Sequence, residues 1–583
     1  MTNIIETHRT LTARPTGQII VDALVAEGVQ RVYGMPGGHI LGIYDAIAET
    51  EGIDSILVRH EHTAAAMAAG EAQLTGIPGV VLVTAGPGAT NTLTAVAEAY
   101  VGALPLVVFA GRGPTQTVYR GASQELPTEL AFRPMVKWST RVDRADLLQA
   151  AVHRAFREAR TGKPGPVLID IPRDLLLEQV APEIYRPVGA LARLAADSDA
   201  VAAAAAKLAS AERPLLVAGG GALASRASDA LVALAERLEA PVLTSLAGRG
   251  AIPESHRLAA GGLGAHRNPV SRRLLQEADV VVGVGTRFEE METNWQSGAL
   301  PSADAVYIQI DIDPVELGRS VPTDHPLTGD ARTVLEQLRS SIGDGVPSAT
   351  VKARAAEVER DIADLDRRID ELALSDGTPL NPVRVIRAAR RVFPADTVLA
   401  VDVGALAQHI GGAFPYFRVN EPRSTLVPSS FYGMGFVSSA LPVAPLVHPG
   451  RPALCFVGDG SFQMTMFTLP VAADYGLGVT WCVLNDEALG SIRDIQVHLF
   501  GERIVDTEFR FQPDFAGIAR ACGAHGETVR EPDELDAALE RCLEANRSGI
   551  PAVLDARVAP IRLTQTREHY FQVFGNDDTS SDL

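Results

Sequence analysis

The fold is decided by two apolar runs, "PALCFVGDG" (452–460) and "VTWCVLND" (479–486), each of which ends in acidic residues. Both have the length and composition of buried strands, and residues 461–475 between them suit a crossover helix. If the strands are parallel, Asp459 and Asp486 both lie at carboxyl ends of strands, the edge where open α/β sheets bind ligands. The sequence therefore predicts a ligand site at this edge. The alternative is a pair of strand-end turns with polar caps.

The two acidic residues suit a metal ion that bridges a diphosphate. Asp459 and Asp486 are 486 − 459 = 27 positions apart, a plausible length for one strand-to-strand crossover. Gly458 and Gly460 open the loop around Asp459, and carboxylate oxygens are the hard ligands that octahedral Mg²⁺ prefers. The spacing alone leaves the alternative of capped turns open.

Apolar strand-like runs alternate with alanine-rich helical stretches along most of the chain, a pattern typical of parallel sheets with helices on both faces. Further examples are "GVVLVTAG" (79–86), "PVLIDIP" (166–172), "DVVVGVG" (279–285), "VYIQIDID" (306–313) and "PAVLDARV" (551–558). We therefore predict an α/β protein with three consecutive doubly wound parallel-sheet domains. Their predicted limits are 14–182, 190–345 and 379–560, with a helical linker at 346–378 and a C-terminal tail at 561–583.

Composition and charge favour a cytoplasmic enzyme. The 583 residues are 46% hydrophobic and 21% charged, as in soluble proteins with large cores. The net charge of −19 argues against nucleic-acid binding, because phosphate contacts need clustered Lys and Arg. The first residues lack a signal-peptide pattern, and no apolar run reaches the ~18 residues of a membrane span. The four cysteines lack metal-binding spacing and are predicted to be buried thiols.

The "GDG" motif, followed after one crossover by "ND", resembles the thiamine diphosphate signature of the pyruvate oxidase and acetolactate synthase superfamily. The resemblance implies three magnesium ligands, namely Asp459, Asp486 and the backbone carbonyl of Ala488. The family usually has Asn at the position of Asp486, and either side chain offers a hard oxygen. The residues that the resemblance implies at the cofactor in this domain are Gly404, Gly433, Met434, Gly458, Gly460 and Ser461.

Three N-terminal stretches resemble the pyrimidine-binding domain of the same superfamily: "VYGMPGGHILGIYDAI" (32–47), "VRHEHTAAAMAAGEAQLTG" (58–76) and "TAGPGATNTLTAVAEAYVGALPLVVFAG" (84–111). Glu61 matches the catalytic glutamate of the family. A carboxylic acid at the pyrimidine N1′ favours the imino tautomer, whose 4′-nitrogen removes the C2 proton of the thiazolium ring. Taken alone, Glu61 has the alternative of a solvated surface charge. The other cofactor-binding residues implied here are Pro36, Gly37, Gly86 and Asn91.

Two further segments extend the resemblance. In "SSFYGMGFVSSALPVA" (429–444), Met434 stands where the family wedges a bulky apolar residue between the two cofactor rings. The middle unit carries "GGG" (219–221), "GTRF" (285–288) and "IDID" (310–313), which could bind FAD, as in acetolactate synthases, or ADP, as in acyl-CoA-handling relatives. The third expectation is a structural domain without a nucleotide, because a short glycine cluster is weak evidence of a site.

The leading functional prediction is an acetolactate synthase-like carboligase that decarboxylates a 2-oxo acid. The runs "PGATN", "GRGAIPESH" (248–256) and "LGSIRDIQ" (489–496) fall where acetolactate synthases have similar sequences. Four places depart from that pattern: Ser123 replaces Phe, Ile495 replaces Trp, Met291 replaces Arg, and in 403–409 the Gln-His pair that directly follows the glycine in acetolactate synthases is missing after Gly404. The loss of two aromatic side chains predicts a wider or differently shaped pocket, which weakens simple pyruvate condensation.

The first alternative is a 2-hydroxyacyl-CoA lyase or synthase, because "GASQELPTEL" (121–130) also resembles the pocket loop of those enzymes. In either function Gln124 faces the substrate adduct. Glu487 is a candidate acid–base residue, with an exposed strand-end carboxylate as the alternative. The tail, which contains Arg562 and Arg567, could close over a substrate or simply pack on the surface. The second alternative is a non-catalytic family member.

The resemblance also implies an assembly. Glu61 and the diphosphate site belong to different domains, and the family's usual arrangement shares the active site across a dimer interface. We therefore expect a homodimer or homotetramer that acts on a small molecule, without nucleic-acid or membrane partners.

Overall fold

The computed structural model describes residues 12–560 apart from 119, 265–266, 294–299, 301, 303, 344–346, 405–406 and 408–411. The predicted tail at 561–583 lies outside the described residues. The chain divides into two compact units, Met1–Leu191 and Ala192–Leu583. Each unit has its own sheets and its own apolar cores.

The first unit is an α/β domain on one parallel sheet. Its strands are β1 (Arg14–Pro15), β2 (Arg31–Gly34), β3 (Asp54–Leu57), β4 (Gly79–Val83), β5 (Leu106–Arg112), β6 (Trp138–Arg141), β7 (Pro166–Pro172) and β8 (Gln179–Val180). Its helices are α1 (Thr16–Ala26), α2 (Leu41–Ala48), α3 (Glu61–Thr75), α4 (Pro87–Thr90), α5 (Leu93–Val101), α6 (Thr128–Phe132) and α7 (Leu148–Arg160). The sheet order is β3-β2-β4-β5-β7-β6, all parallel, while β1 and β8 pair antiparallel. The order reverses between β2 and β4, the place where open α/β sheets usually bind ligands.

Tight packing between α3 and β4 explains the alanine-rich sequence of α3. A Cβ atom on Gly79 in β4 would lie only 2.1 Å from the backbone oxygen of Ala68 in α3. The helix begins after His60, whose side chain accepts a hydrogen bond from the backbone N–H of His62, and ends at Gly76 in the left-handed conformation. Glu61 is therefore the first residue of a helix held firmly against the sheet.

The second unit begins with a domain on another parallel sheet. Its strands are β9 (Pro214–Ala218), β10 (Val242–Thr244), β11 (Ala259–Gly262), β12 (Val280–Val284), β13 (Val306–Asp311) and β14 (His325–Thr328). Its helices are α8 (Ser198–Ala209), α9 (Gly220–Ala224), α10 (Ser228–Leu238), α11 (Pro269–Glu277), α12 (Glu290–Thr293), α13 (Ala331–Ile342) and α14 (Ala349–Leu372). The sheet order is β11-β10-β9-β12-β13-β14, and the order reverses between β9 and β12.

A third sheet completes the second unit. Its strands are β15 (Val398–Val401), β16 (Thr425–Leu426), β17 (Ala453–Gly458), β18 (Thr480–Asn485), β19 (His525–Val529) and β20 (Ala552–Arg557). Its helices are α15 (Pro382–Val392), α16 (Phe436–Ala440), α17 (Ala444–Val447), α18 (Asp459–Gln463), α19 (Leu469–Asp474), α20 (Gly490–Leu499), α21 (Phe515–Ala521) and α22 (Leu535–Arg547). The order β16-β15-β17-β18-β20-β19 is parallel throughout and reverses between β15 and β17. Three parallel sheets of this kind confirm the predicted fold class.

The crossover between β17 and β18 differs from the prediction of a single helix over 461–475. The two strands are parallel neighbours, as predicted, but α18 ends at Gln463 and α19 begins at Leu469. Thr465 leaves the helical conformation at φ −135°, and its hydroxyl lies 3.3 Å from the Ser438 hydroxyl. Pro470 then occupies the first turn of α19, where its missing N–H costs nothing. The prediction of one continuous crossover helix was therefore wrong.

The charged stretch predicted to be a linking helix forms α14, but it is not solvated on all sides. One face, which includes Val351, Val358 and Ile362, is buried, and it contributes to the apolar cores of the second unit. Ser348 caps the helix by accepting a hydrogen bond from the backbone of Val351. No helix in the part of the chain that the structure describes is long and apolar enough to span a membrane.

Candidate active site

In the first unit, Glu61 lies at the carboxyl edge of the sheet with its carboxyl group buried. It follows β3 and is 8% exposed, so the alternative of a solvated surface charge is wrong. The side-chain amide of Asn91 donates a 2.8 Å hydrogen bond to Glu61 Oε2. Asn91 follows β4 through the "GPGAT" turn, so the sheet brings together two residues that are 30 positions apart. This pair is a fixed carboxyl group with one oxygen held by an amide.

Glycines around Glu61 mark places where the backbone approaches other groups closely. A Cβ atom on Gly37 would lie 2.6 Å from Cβ of Thr84, and one on Gly88 would lie 2.8 Å from Cγ2 of Thr84 and 3.6 Å from Glu61 Oε1. Gly86 has φ +57°, which favours glycine. Pro36 is exposed immediately after β2. The predicted cofactor residues of this unit thus lie in the loops after β2 and β4, on either side of the point where the strand order reverses.

The loop after β5 brings Gln124 to the same edge. Its carbonyl oxygen would lie 2.8 Å from a Cβ atom on Gly86, and its own φ is +61°. The neighbouring Glu125 approaches Arg112 at 3.9 Å, and Arg112 also pairs with buried Asp170 at 3.3 Å. Ser123 and Gln124 are both exposed in this unit. The position of Gln124 fits the predicted substrate-facing role, which stays a prediction.

In the second unit, Asp459 and Asp486 follow neighbouring strands β17 and β18, as the sequence predicted. Asp459 is 1% exposed and begins α18, whereas the sequence had suggested a loop. Burial raises the pKa of Asp459 to about 7, and the nearby Asp486 carboxylate adds to this effect. Burial also raises the pKa of Asp486, although Arg493 opposes that rise through a 2.6 Å ion pair. The two strand ends therefore place two carboxyl groups close enough to repel each other when both are charged.

These carboxyl groups suit a hard divalent cation. Two buried carboxylates in mutual repulsion are stabilised by a positive ion between them, and carboxylate and carbonyl oxygens are the usual ligands of Mg²⁺. Ala488, whose carbonyl is the predicted third ligand, is 3% exposed and lies two residues after Asp486. No group of three His, Cys, Asp or Glu side chains among the described residues is arranged for a metal. The remaining ligands would therefore be backbone, diphosphate or water oxygens.

Gln512 and Asn485 complete the polar cluster, and sequence reasoning gave neither of them a role. The Gln512 amide donates to Asp459 Oδ2 at 2.7 Å and to Asn485 Oδ1 at 2.8 Å. Asn485 in turn donates to buried Asp555 at 2.7 Å. The only signal for Asn485 was its place beside Asp486 at a strand end. No spacing pattern pointed to Gln512.

The backbone around Met434 is anchored by the buried carboxylate of Asp402, another residue that sequence reasoning missed. Asp402 accepts hydrogen bonds from the backbone N–H groups of Gly435 at 2.9 Å and Ser438 at 2.7 Å. A Cβ atom on Gly460 would lie 3.6 Å from Cε of Met434, so this side chain reaches the "GDG" turn. The Ser461 hydroxyl donates to the carbonyl of Val403 at 2.9 Å, next to Gly404 at φ +144°. The predicted cofactor residues after β15 and β17 therefore meet at the point where this strand order reverses.

Glu487 is more exposed than an acid–base residue needs to be. Its side chain is 58% exposed and accepts a 2.7 Å hydrogen bond from Arg557. Its φ of +58° turns the chain between the two predicted metal ligands Asp486 and Ala488. The acid–base role of Glu487 stays a prediction.

In the middle sheet, the glycine cluster has a packing role. The Gly221 N–H donates to the carbonyl of Gly285 at 3.0 Å, and a Cβ atom on Gly219 would lie 2.2 Å from that oxygen. Beside this contact, the Thr286 hydroxyl donates a 2.9 Å hydrogen bond to the half-buried Glu292 carboxyl group, and desolvation raises the pKa of Glu292 to about 7. Close backbone packing thus accounts for these glycines without a nucleotide. The side chain of Met291 is outside the described residues, as is most of 403–409.

The three parallel-sheet domains carry a buried carboxyl group at one sheet edge and two metal-suited carboxyl groups at another, an arrangement suited to an enzyme that binds a diphosphate-bearing coenzyme. Family models for thiamine pyrophosphate enzymes match all three domains: the N-terminal TPP binding domain at 14–132, the central domain at 201–338 and the C-terminal TPP binding domain at 405–556. The chain belongs to the thiamine pyrophosphate-dependent enzymes related to acetolactate synthase.

Its relatives include acetolactate synthase large subunits. The chain is 34% identical to the acetolactate synthase large subunit of Haemophilus influenzae, over 90% of this chain and 91% of the relative. It is 34% identical to the acetolactate synthase isozyme 3 large subunit of Escherichia coli, over 93% of this chain and 94% of the relative. It is 35% identical to the acetolactate synthase large subunit of Parasynechococcus marenigrum, over 92% of this chain and 86% of the relative. The predicted resemblance is confirmed, and the chain is a thiamine pyrophosphate-dependent carboligase of the transferase or lyase type. These comparisons do not support the 2-hydroxyacyl-CoA lyase alternative.

Proposed function

We propose that this protein binds thiamine diphosphate and Mg²⁺, decarboxylates a 2-oxo acid and joins the remaining acyl group to a second carbonyl compound. The observation that carries this proposal is the buried carboxyl group of Glu61, held by Asn91 at the carboxyl edge of its sheet. Similarity to acetolactate synthase large subunits over nine-tenths of the chain supports the choice of reaction.

Each part of the proposed site has a defined task. When bound, thiamine diphosphate supplies the nucleophilic carbon that attacks the substrate carbonyl. Glu61 holds the proton at N1′ of the pyrimidine, and Asn91 keeps its carboxyl group in place. Asp459, Asp486 and the carbonyl of Ala488 would hold the Mg²⁺, and the residues around Gly458, Gly460 and Ser461 would bind the diphosphate. FAD or ADP in the middle domain stays a prediction.

The acceptor pocket is proposed to differ from that of acetolactate synthases. Ser123 and Ile495 are smaller than the Phe and Trp at these positions in that family, and Ile495 is half-buried in α20. A larger pocket accepts a bulkier second substrate, because removing aromatic bulk leaves apolar space that only a larger group fills. Gln124 is proposed to contact the substrate, and Glu487 to serve in acid–base steps.

The proposed assembly is a cytoplasmic homodimer or homotetramer. Each active site would combine Glu61 of one subunit with the Asp459–Asp486 site of its partner. Exposed apolar side chains near that site, including Phe511 at 80% and Val505 at 63%, are compatible with burial against another subunit.

The direct test is the Glu61→Ala variant of the full chain, compared with wild type and with a Glu51→Ala surface control. With pyruvate and a panel of longer 2-oxo acids and aldehydes, we expect wild type and the control to release carbon dioxide and form hydroxyketone products, identified by mass spectrometry. Glu61→Ala should lose turnover by about 100-fold or more and still bind thiamine diphosphate. Near-normal turnover by Glu61→Ala contradicts the role of Glu61. Wild-type turnover of 2-hydroxyacyl-CoA thioesters alone contradicts the proposed reaction.

A further inference from the structure

The amide of Gln512 lies between the two strand ends that carry the predicted metal ligands, a place to which the proposed function assigns no task. Gln512 is half-buried and belongs to the connection between α20 and α21. Its Nε2 lies 2.7 Å from Asp459 Oδ2, which follows β17, and 2.8 Å from Asn485 Oδ1 at the end of β18. One side chain from a distant loop therefore joins the ends of two neighbouring strands.

The direction of these hydrogen bonds is set by a second buried carboxyl group. Asn485 Nδ2 lies 2.7 Å from Oδ1 of Asp555, which is fully buried. An ionised carboxylate only accepts, so Asn485 turns its NH₂ group to Asp555 and its oxygen to Gln512. With a cation bound, Asp459 is ionised and also only accepts. The Gln512 NH₂ group therefore donates one N–H to each strand end.

A third contact keeps the Gln512 amide from turning over. Gln463 Nε2 lies 3.4 Å from Gln512 Oε1. Gln463 and Asp459 are four residues apart in α18, so their side chains lie on one face of that helix. The Gln512 amide is thus held to α18 through both its oxygen and its nitrogen, and to β18 through its nitrogen.

This network leaves one oxygen of Asp459 for a cation. Gln512 takes Oδ2, and no other side chain among the described residues donates to this carboxyl group. Asp486 is held in the same way, because Arg493 donates to its Oδ2 at 2.6 Å. Each of the two carboxyl groups therefore has one oxygen fixed by a neighbouring donor. Donors that fix metal-binding side chains in this way usually change metal affinity 10- to 100-fold when they are removed.

We propose that Gln512 is a positioning residue for the metal site: it holds Asp459 Oδ2, leaves Oδ1 for Mg²⁺, and ties the end of β17 to the end of β18. This inference rests on the proposed function for the presence of Mg²⁺. The hydrogen bonds of Gln512 do not depend on it.

The first test measures metal binding without turnover. Gln512→Met keeps the length of the side chain and removes its amide. In excess thiamine diphosphate, calorimetric titration should show Mg²⁺ bound about 10-fold more weakly, and electron paramagnetic resonance should show the same loss for Mn²⁺. Gln512 is not proposed to touch the substrate, so turnover at saturating Mg²⁺ should stay within about twofold of wild type. Wild-type metal affinity would overturn the inference, as would a loss of turnover that saturating metal does not restore.

Gln496→Met is the matched control. Gln496 is another half-buried glutamine, and its hydrogen bonds tie the same connection between α20 and α21 through Val505 and Thr507 instead of through the predicted metal ligands. We expect Gln496→Met to bind Mg²⁺ as wild type does, whatever its metal-free thermal midpoint. An equal loss of metal affinity in both variants would overturn the role of Gln512, because a loosened loop would then explain it.

The second test removes the donor that orients the Gln512 amide. Gln463→Met should weaken Mg²⁺ binding by about two- to threefold, and it should add no further loss on a Gln512→Met background. Losses that multiply would overturn the inference. A wild type that binds Mg²⁺ with thiamine diphosphate, shows these variant effects and decarboxylates no 2-oxo acid would refute only the proposed function. A wild type that binds no Mg²⁺ would refute both.

Discussion

At the scale of single residues, Asp170 shows how burial controls the charge of groups near the first site. Its side chain lies on β7 with no exposure, Oδ2 is 3.3 Å from Arg112, and Oδ1 has no hydrogen-bond partner among the described residues. Burial raises the pKa of Asp170 from 3.8 to about 6, although Arg112 opposes the rise. Between these values the folded protein binds more protons than the unfolded chain. The contribution of Asp170 to stability is therefore complete below about pH 4 and lost as pH rises through about 6.

Asp170→Asn should remove this pH dependence, because the amide has a similar shape and does not titrate. The free energy of unfolding of the variant relative to wild type should rise by about 3 kcal/mol between pH 4 and pH 7, from a shift of about two pKa units. Thermal unfolding followed by circular dichroism across this range measures the difference. Asp143→Asn, which changes an exposed aspartate in an ion pair, is the matched control and should show no such trend. If the free energy of unfolding of Asp170→Asn differed from that of wild type by the same amount at every pH in this range, the raised pKa of Asp170 would be contradicted.

The sequence was informative for residues whose role follows from their position at a strand end. Asp459 and Asp486 each follow an apolar run, so their convergence at one sheet edge could be predicted, whereas Glu61 was assigned through the resemblance to the family. Gln512 could not, because its partner Asp459 lies 53 positions earlier and only the folded loop brings them together. Asp402 escaped notice for a similar reason, because its partners Gly435 and Ser438 lie 33 and 36 positions later in the chain.

At the scale of elements, the short helix α16 depends on a side chain from another element. Asp402, at the end of β15, accepts hydrogen bonds from Val403, Gly435 and Ser438, and Gly435 precedes α16 at φ +81°. Three of the five residues of α16 are apolar, and the N-terminal cap position, Gly435, has no side chain to cap the helix. The segment with Met434 is thus held by one buried carboxylate.

Asp402→Asn should loosen this segment, because the new NH₂ group would face a backbone N–H and leave two donors opposed. A lost buried hydrogen bond to a charged group costs about 1.5–3 kcal/mol, so we expect a lower thermal midpoint and thiamine diphosphate binding weakened about 10-fold. Calorimetric titration with the cofactor and Mg²⁺ measures the second effect. Asp536→Asn, which changes an exposed aspartate paired with Arg391, serves as the control. A lower thermal midpoint with unchanged cofactor affinity would show that Asp402 stabilises the fold without contributing to cofactor binding.

The strands were easier to predict than the helices between them. The strands β4, β12 and β17 are continuous apolar runs because they are buried on both faces of their sheets. Each of them can therefore be predicted as a strand from its own sequence. The crossover after β17 has a helical composition, yet it breaks between α18 and α19. That break depends on Thr465 packing near Ser438 and Gly435, contacts across elements that local propensity does not contain.

At the scale of the whole molecule, binding of cofactor and metal should stabilise the fold. A ligand that binds only the folded state at 100 times its Kd adds about 2.7 kcal/mol. We expect thiamine diphosphate with Mg²⁺ to raise the thermal midpoint by several degrees, and a chelator to reverse both this rise and turnover. Asp486→Asn should keep most of the rise in thermal midpoint, because its amide oxygen can still bind the metal, whereas Asp486→Ala should lose this rise. An equal midpoint with and without cofactor and metal would contradict the metal site.

The proposed sharing of active sites between subunits can be tested by complementation. Co-expression of differently tagged Glu61→Ala and Asp459→Ala chains allows the mixed dimer to be purified by both tags. If each site takes Glu61 from one subunit and Asp459 from its partner, one site of this dimer carries both substitutions and the other carries neither. We therefore expect about half of the wild-type activity per dimer, although each parent homodimer is inactive. A mixed dimer of wild type with the double variant Glu61→Ala/Asp459→Ala is the control and should be inactive, because each of its sites then lacks one of the two residues. If each site were instead built from a single chain, the mixed dimer of the two single variants would be inactive and the dimer of wild type with the double variant would keep about half of the activity. Measuring the specific activity of both dimers therefore distinguishes the two arrangements.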